Sequence, residues 1–306
     1  MNATGAWSAN ISDMEPGVTH CLPKPSKGIH LVLPNILPKV ALLLRAPQDG
    51  RVFFVLPWQT FSIVGTTDTF YEGDPDHVSV DPEDQTYLLD ALNAYFPTRH
   101  YTGSSVVSSF AGLRPLVAPV ENQDPSDVPR EHVIQISKGG LITILGGKFT
   151  THRLIAEEVV DTVLSGKLFT NELAAGSYLK CTTSDVPLPG AAGPVTFGEA
   201  RQQLIDFGMD DTLVSHLMGV YGVNSLDLLE IIKRDPREGE LISKKYPHIY
   251  AEITYGINNE HLKTIEDWFH RSLSVYPDFS DTEYREKVAK KFTNFSRNNN
   301  LYKNFI

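Results

Sequence analysis

Residues 144–153 read Ile-Leu-Gly-Gly-Lys-Phe-Thr-Thr-His-Arg, and the segments on either side give them their meaning. Before them, Leu141, Ile142, Ile144 and Leu145 form a short apolar strand; after them, Leu154, Ile155, Val159 and Val163 recur at helical spacing. The stretch is a strand-to-helix turn. Two glycines let a backbone approach a ligand closely, and a helix start offers unpaired N–H groups at the positive end of its dipole. Lys148 adds a full charge. That combination suits an anionic or electron-rich group, such as a phosphate or a reduced cofactor ring. The same residues also serve a turn for geometry alone, with Thr150 or Thr151 capping the helix. A nucleotide P-loop is excluded: Ile142 stands where its first glycine belongs, and Phe149 follows the lysine in place of Ser or Thr.

Outward from this turn, the first half of the chain is β-rich. Apolar segments at 29–33, 40–45, 51–57 and 61–65 are separated by Pro and Gly, and Pro47-Gln-Asp-Gly50 joins two of them as a hairpin. Asp81-Pro-Glu-Asp84 opens a helix carrying Leu88, Leu89, Leu92 and Tyr95, which stops before Pro97. Strands follow at 106–110, 132–137 and 141–145, and the helix from Thr151 ends near Gly166. Periodicity is lost over 167–195, where Pro187-Leu-Pro-Gly-Ala-Ala-Gly-Pro194 reads as linker. Beyond it the pattern is helical almost throughout, at 197–207, 212–221, 225–234, 248–258, 261–272 and 282–295. The expectation is an α+β portion over 1–166, a linker over 167–195 and a small all-α domain over 196–306.

Composition narrows the function classes. The 306 residues are 41% hydrophobic, enough for substantial cores and against general disorder. A formal charge of −10, with no zinc-finger or other nucleic-acid motif, argues against nucleic acid as a partner. The two cysteines, Cys21 and Cys181, are too far apart in sequence to suggest a disulfide framework or a metal cluster. No apolar run reaches transmembrane length, and the N-terminus lacks the basic start and apolar stretch of a signal peptide. The expectation is a soluble, cytoplasmic protein.

Four cations in the β-rich half are the candidate catalytic residues: His30 at the head of a strand, Arg114 before Pro115, Arg130 after Pro129, and Lys148. Cations at strand ends converge at sheet edges where small-molecule sites form, and guanidiniums grip phosphate or carboxylate bidentately. Each also reads, by itself, as a solvated or structurally paired cation. Thr66-Thr67-Asp68 reads first as a turn cap and second as a cofactor contact; Trp58 reads first as core. Glu260, Glu266, Asp267 and His270 lack the His-Glu-x-x-His arrangement and read as a solvated helix face, so no metal site is expected. There is also no Gly-x-Gly anywhere, and hence no dinucleotide fingerprint.

Taken together, the chain resembles the FAD-dependent glycerol-3-phosphate dehydrogenase family, the quinone-linked enzymes and their alpha-glycerophosphate oxidase relatives. The segments that carry the resemblance are Asn2-Ala-Thr-Gly-Ala-Trp-Ser8, Pro25-Ser-Lys-Gly-Ile-His-Leu-Val-Leu-Pro34, Val55-Leu-Pro-Trp58, Ile63-Val-Gly-Thr-Thr-Asp68, Gly112-Leu-Arg-Pro-Leu116 and Gly146-Gly-Lys-Phe-Thr-Thr-His-Arg153. In the helical part they are Tyr221-Gly-Val-Asn-Ser225 and Asn259-Glu-His-Leu-Lys-Thr-Ile-Glu-Asp267. The resemblance implies a substrate-binding antiparallel sheet with late elements of an FAD-binding domain, followed by the helical domain. It implies oxidation of sn-glycerol 3-phosphate to dihydroxyacetone phosphate, with FAD as cofactor and quinone, or oxygen in the oxidases, as electron acceptor.

Position by position, the resemblance makes His30 the base beside the substrate hydroxyl. Arg114 and Arg130 become arginines lining the substrate site, and Lys148 the lysine near substrate and flavin. Gly147, Thr150 and Thr151 fall where the helix start meets the flavin ring, and Ala3, Thr4 and Gly5 where the family contacts the nucleotide portion of FAD. In the family, the Gly-x-Gly-x-x-Gly turn precedes the Asn-Ala-Thr-Gly segment; this chain begins at that segment. The expectation is therefore a C-terminal half that needs a separate FAD-binding half, associates peripherally with a membrane if it follows its quinone-linked relatives, and carries unpaired strand edges. The rival expectation is a noncatalytic remnant that binds no flavin alone.

Overall fold

The computed structural model describes residues 1–15, 23–58, 61–117, 131–164, 180–272 and 281–299. The chain divides into two compact units, Met1–Thr183 and Ser184–Ile306. Residues 167–179 of the expected linker, and Arg130 among the candidate site residues, lie outside the described residues.

In the first unit, Asn2 leads into the short helix α1 (Ser8–Ser12), and a six-stranded antiparallel sheet follows. Its central strand, β1 (Pro23–Pro34), is flanked on one side by β6 (Ser108–Val117). On the other side it pairs with β4 (Phe61–Gly65) along its second half and β5 (Thr69–Phe70) along its first. β3 (Val52–Trp58) and β2 (Leu42–Arg45) extend the sheet beyond β4. Both β1 and β6 are much longer than the apolar runs that mark them in sequence. Pro25 stands directly opposite Pro115, so two residues that cannot donate to the ladder share one pairing position. Arg114 consequently sits within a strand, paired with Ser26, and not at a strand's end.

Strand alternation divides the sheet into two faces. Ile29, Leu31 and Leu33 of β1, Phe53 and Val55 of β3 and Val64 of β4 pack against Leu88, Leu89, Ala91 and Leu92 of helix α2 (Pro82–Tyr95). The helix begins at an Asp81–Asp84 capping box with Pro82 at its first position. Buried Lys27 pairs with both acids and ties this helix start to β1. The opposite face carries His30, Phe54, Leu56 and Trp58. Trp58 is 44% exposed, which corrects its expected place in the core: it shares strand parity with outward-facing Phe54 and Leu56, while Phe53 and Val55 point inward.

A second, two-stranded sheet pairs β7 (His132–Ile136) with β8 (Ile142–Gly146). Asn2 adds a parallel bridge to its far edge: the Asn2 amide donates to the Ile142 carbonyl at 2.6 Å, and the Ile144 amide to the Asn2 carbonyl at 2.9 Å. After β8 come a single 3-10 turn, Phe149–Thr151, and helix α3 (His152–Leu164).

The second unit is built from α4 (Phe197–Asp206), α5 (Asp211–Tyr221), α6 (Ser225–Arg234), α7 (Tyr250–Asn259), the single turn α8 (Ile265–Asp267) and α9 (Thr282–Asn299). Thr196 and Glu199 form a reciprocal cap on α4, and Asp210 accepts from the Thr212 and Leu213 amides at the start of α5. Leu204, Val214, Leu217, Leu228 and Ile232 fill one core of this unit; Ile253, Trp268, Val288 and Phe292 fill another. The expectation of an all-helical region needs one correction. Leu241–Ser243 (β9) and Tyr246–Ile249 (β10) form a hairpin, so α7 begins at Tyr250 and not at His248.

Candidate functional site

The candidate site is built on the sheet face away from α2. On β1, Ser26, Gly28 and His30 share this face, opposite Arg114, Gly112 and Phe110 of β6. The His30 ring stacks on Phe110 with centroids 4.9 Å apart and planes 15° apart. Its other neighbour in register is Gly65 of β4, where a Cβ would lie 2.5 Å from the imidazole Cδ2. A bare glycine on one side and an aromatic ring on the other thus fix the imidazole plane. Burial, and after it the positive charge of Arg114, hold the His30 pKa below its ordinary 6.5. The imidazole is thereby kept neutral and able to accept a proton.

Arg114 is held just as specifically. Its Nη2 donates to the Thr66 hydroxyl at 3.0 Å; its Nη1 donates to the Thr67 carbonyl at 3.4 Å and the Asp68 carboxylate at 3.3 Å. Asp68 is buried and also accepts from the Ser26 hydroxyl, while the Thr67 hydroxyl accepts from the Ile29 amide at 3.2 Å. Thr66-Thr67-Asp68, read from sequence first as a turn cap, is the cradle of this guanidinium. A charge fixed on one side by a carboxylate and two oxygens presents its remaining N–H groups in a set direction.

Arg114 also lines a largely apolar cavity of about 1000 Å³, together with Ala3, Leu113, Gly146, Gly147 and Lys148. Helix α3 contributes Ile155, Val159 and Val163 to its wall. The structure therefore brings Ala3, Arg114, Gly147 and Lys148 to one cavity. His30, Thr4, Gly5, Thr150 and Thr151 are not on its wall; His30 shares its sheet face with Arg114, which is.

Gly146 and Gly147 have φ of +71° and +88°. A Cβ on Gly146 would lie 2.5 Å from the Glu131 carbonyl oxygen, and one on Gly147 would lie 2.6 Å from Ile155 Cδ1. Their lack of a side chain serves the fit of β8, β7 and α3 to one another, while their other side borders the cavity. Thr151 donates its hydroxyl to the Lys148 carbonyl at 2.9 Å and so tightens the turn. The exposed Lys148 and Thr150 stand at its surface. The His132 Nε2 to Glu158 contact, 2.5 Å, fastens β7 to α3 beside it.

Two family models account for nearly the whole chain. Residues 1–162 match "FAD dependent oxidoreductase" and residues 181–295 match "C-terminal domain of alpha-glycerophosphate oxidase". The chain belongs to the FAD-dependent oxidoreductases. Within them it is similar to proteins named glycerol-3-phosphate dehydrogenase.

A mitochondrial glycerol-3-phosphate dehydrogenase of Mesocricetus auratus is 32% identical over 280 residues, 89% of this chain and 37% of the relative. An aerobic glycerol-3-phosphate dehydrogenase of Staphylococcus saprophyticus is 30% identical over 298 residues, 94% of this chain and 52% of the relative. The structure of the glycerol-3-phosphate dehydrogenase from Bacillus halodurans complexed with FAD superposes with a TM-score of 0.78 at 29% identity. That match covers 95% of this chain and 57% of the other. The chain thus spans about half, or less, of the length of the relatives it matches. Among the described residues, no helix is long and apolar enough to cross a membrane.

The sequence singled out Arg114 and His30 but not what holds them. Gly28, Gly65, Phe110 and Asp68 are a glycine pair, an aromatic and an acid whose meaning depends on strand register, and no local pattern announces it.

Proposed function

We propose that this chain supplies the substrate-side sheet and the C-terminal domain of an FAD-dependent glycerol-3-phosphate dehydrogenase, acting with an N-terminal FAD-binding half. The observation that carries the reading is the placement of Arg114, fixed by Thr66 and Asp68 at the wall of the cavity and lying over Gly28, on the same sheet face as a stacked, half-buried His30. An anion and a base must stand a few ångströms apart to act on a small phosphorylated alcohol. A guanidinium beside a neutral imidazole meets that need.

The residues present fit one side of a flavin: a roomy cavity with apolar walls, Ala3 and the Gly146-Gly147 backbone along it, and Arg114 and Lys148 as its cations. When bound, FAD supplies the two-electron acceptor for the hydride leaving the substrate's secondary carbon. Arg114 binds the phosphate of sn-glycerol 3-phosphate, with Arg130 and Lys148 adding positive charge. His30 accepts the hydroxyl proton on an imidazole nitrogen as the ketone forms. Phe110 and Gly65 keep the ring from turning away. Lys148 and the turn before α3, with Gly147 at the cavity and Thr150 and Thr151 beyond its wall, would stabilise negative charge at the cofactor, and Ala3, with Thr4 and Gly5 next to it in sequence, would hold its nucleotide portion. Quinone is the terminal electron acceptor in this reading, and peripheral attachment to a membrane would bring the two together.

The test is reconstitution. The chain is co-expressed with the N-terminal half of a full-length relative, purified, and assayed for flavin absorbance and for dye reduction dependent on glycerol 3-phosphate. Both are expected from the pair. A folded, flavin-loaded pair with no substrate-dependent dye reduction would overturn the reading and leave a noncatalytic remnant.

A further inference from the structure

The second unit contains a group of side chains that the flavin chemistry does not use. His216 comes from α5, His248 from β10 and Glu252 from the first turn of α7, and all three side chains are nearly inaccessible to solvent. His216 Nε2 stands 2.8 Å from Glu252 Oε1, and His248 Nδ1 stands 3.5 Å from Glu252 Oε2. The two imidazoles meet edge to face, with centroids 4.6 Å apart. From this convergence we infer that His216, His248 and Glu252 form a site for a divalent transition-metal ion of the zinc class.

Two imidazoles and one carboxylate are a donor set that suits zinc and its neighbours, and one that magnesium and calcium, which take oxygen ligands, do not favour. The three ligand atoms lie within 4.8 Å of one another. Donors about 2.0–2.2 Å from a shared ion in tetrahedral geometry stand roughly 3.3–3.6 Å apart, so side-chain rotations that close the widest separation by about an ångström complete the set. The fourth position falls to solvent.

The surroundings are those of a supported metal ligand. Glu252 is oriented from outside the triad: Tyr221 donates its hydroxyl to Oε1 at 3.2 Å, and the Ile249 amide donates to Oε2 at 2.8 Å. Outer donors of this kind set a ligating carboxylate in place. Trp268 and Tyr284 wall the His248 ring with edge-to-face contacts, giving the site an apolar shell. The His216 side chain, 8% exposed, is the least enclosed of the three. Because the ligands come from three elements, a bound ion would fasten α5, the β9–β10 hairpin and α7 together and raise the stability of the unit.

The rival is a hydrogen-bonded triad with no affinity for metal. The two are separated with the full 306-residue chain, stripped with chelator, dialysed against buffer containing zinc or cobalt(II), and analysed for bound metal, visible absorbance and melting temperature. Intact protein is expected to retain close to one zinc per chain, to show the visible bands of four-coordinate cobalt, and to melt higher with zinc than with magnesium. A His216→Gln/His248→Asn variant, which keeps polar groups of similar size, should lose all three signatures with its circular dichroism unchanged. If that variant does not fold, His216→Gln alone, altering the most accessible ligand, is expected to weaken zinc binding at least roughly tenfold. Folded intact chain that binds no zinc, or no more than the variants bind, would overturn the site and leave the hydrogen-bonded triad.

Discussion

The guanidinium of Arg114 occupies the space in which a side chain at Gly28 would begin. A Cβ on Gly28 would lie 2.5 Å from Arg114 Nη1 and 2.6 Å from the Thr66 hydroxyl. Gly28→Ala therefore pushes the end of a flexible side chain out of its cradle while leaving the sheet ladder intact. The expected result in the reconstituted enzyme is a KM for glycerol 3-phosphate raised by roughly tenfold or more, with a stability loss of about 1 kcal/mol. Steady-state kinetics alongside thermal melting check it; an unchanged KM would show that the placement of Arg114 does not govern substrate binding.

Arg114→Ala removes the guanidinium altogether. A hydrogen bond to a charged group contributes about 1.5–3 kcal/mol, so kcat/KM should fall roughly 10- to 150-fold. Flavin content, read from absorbance of the purified protein, should change little. Equal loss of both would assign Arg114 to folding instead of to substrate.

Much of this arrangement was legible in sequence, and the part that was not has a physical cause. The α2 start, with Asp81, Pro82 and Asp84 in order, is a local code and folds as read. The strand-to-helix turn at Gly146-Gly147 is equally local. β1 was hidden because Pro23, Pro25 and Gly28 break its apolar pattern; only the opposite strand, with Pro115 and Gly112 in register, makes them compatible with a ladder. The β9–β10 hairpin was hidden because Ile242, Ile249 and Ile253 continue the helical spacing of their neighbours across a strand pair. The His216–His248–Glu252 triad joins three elements, and its one local clue is the spacing of four between His248 and Glu252.

His30 makes a pH prediction whose sign follows from its environment. Its folded pKa lies below 6.5, so the neutral imidazole persists as pH falls past that value. The acid limb of kcat/KM should therefore lie below pH 6.5, and His30→Gln should depress turnover and abolish that limb. Arg114→Ala, by removing the second cause of the shift, should move the limb up toward 6.5 in whatever activity remains. The same sign applies to stability: protonating a histidine that the fold prefers neutral costs stability as pH drops through 6.5. A limb above 6.5 in the unsubstituted enzyme would remove His30 as the base.

Lys27 is a structural prediction on the other face of the sheet. Burial pulls its pKa down, but the pairs with Asp81 and Asp84 outweigh that and leave it raised. The contribution is thus fully present below 10.5 and is lost only as pH rises through the higher folded value. Lys27→Met keeps the length of the side chain and leaves Asp84, itself nearly buried, without its cation. The expected cost is about 3 kcal/mol, read as a lower denaturant midpoint. Asp84→Asn in the Lys27→Met background should recover part of it. No recovery would mean that the loss comes from packing and not from the stranded charge.

Helix α3 makes the last prediction, and it bears on the proposed pairing with an FAD-binding half. Val160 is 53% exposed and Leu154 46%, and Phe149 at the turn before them is 88% exposed. Val160 and Phe149 both border the apolar cavity, and a surface left to water at these two positions would carry polar residues instead. Val160→Glu should leave the melting temperature of the chain on its own nearly unchanged, because exposed substitutions shift stability by about 0.5 kcal/mol or less. In co-expression with an FAD-binding half, the same substitution buries a carboxylate among apolar groups at several kcal/mol, and the pair should fail to co-purify. Because Val160 also borders the cavity read as the flavin's, co-purification is compared with and without added FAD: a failure in both conditions locates the contact on α3. Normal assembly by Val160→Glu would place that contact elsewhere on the chain.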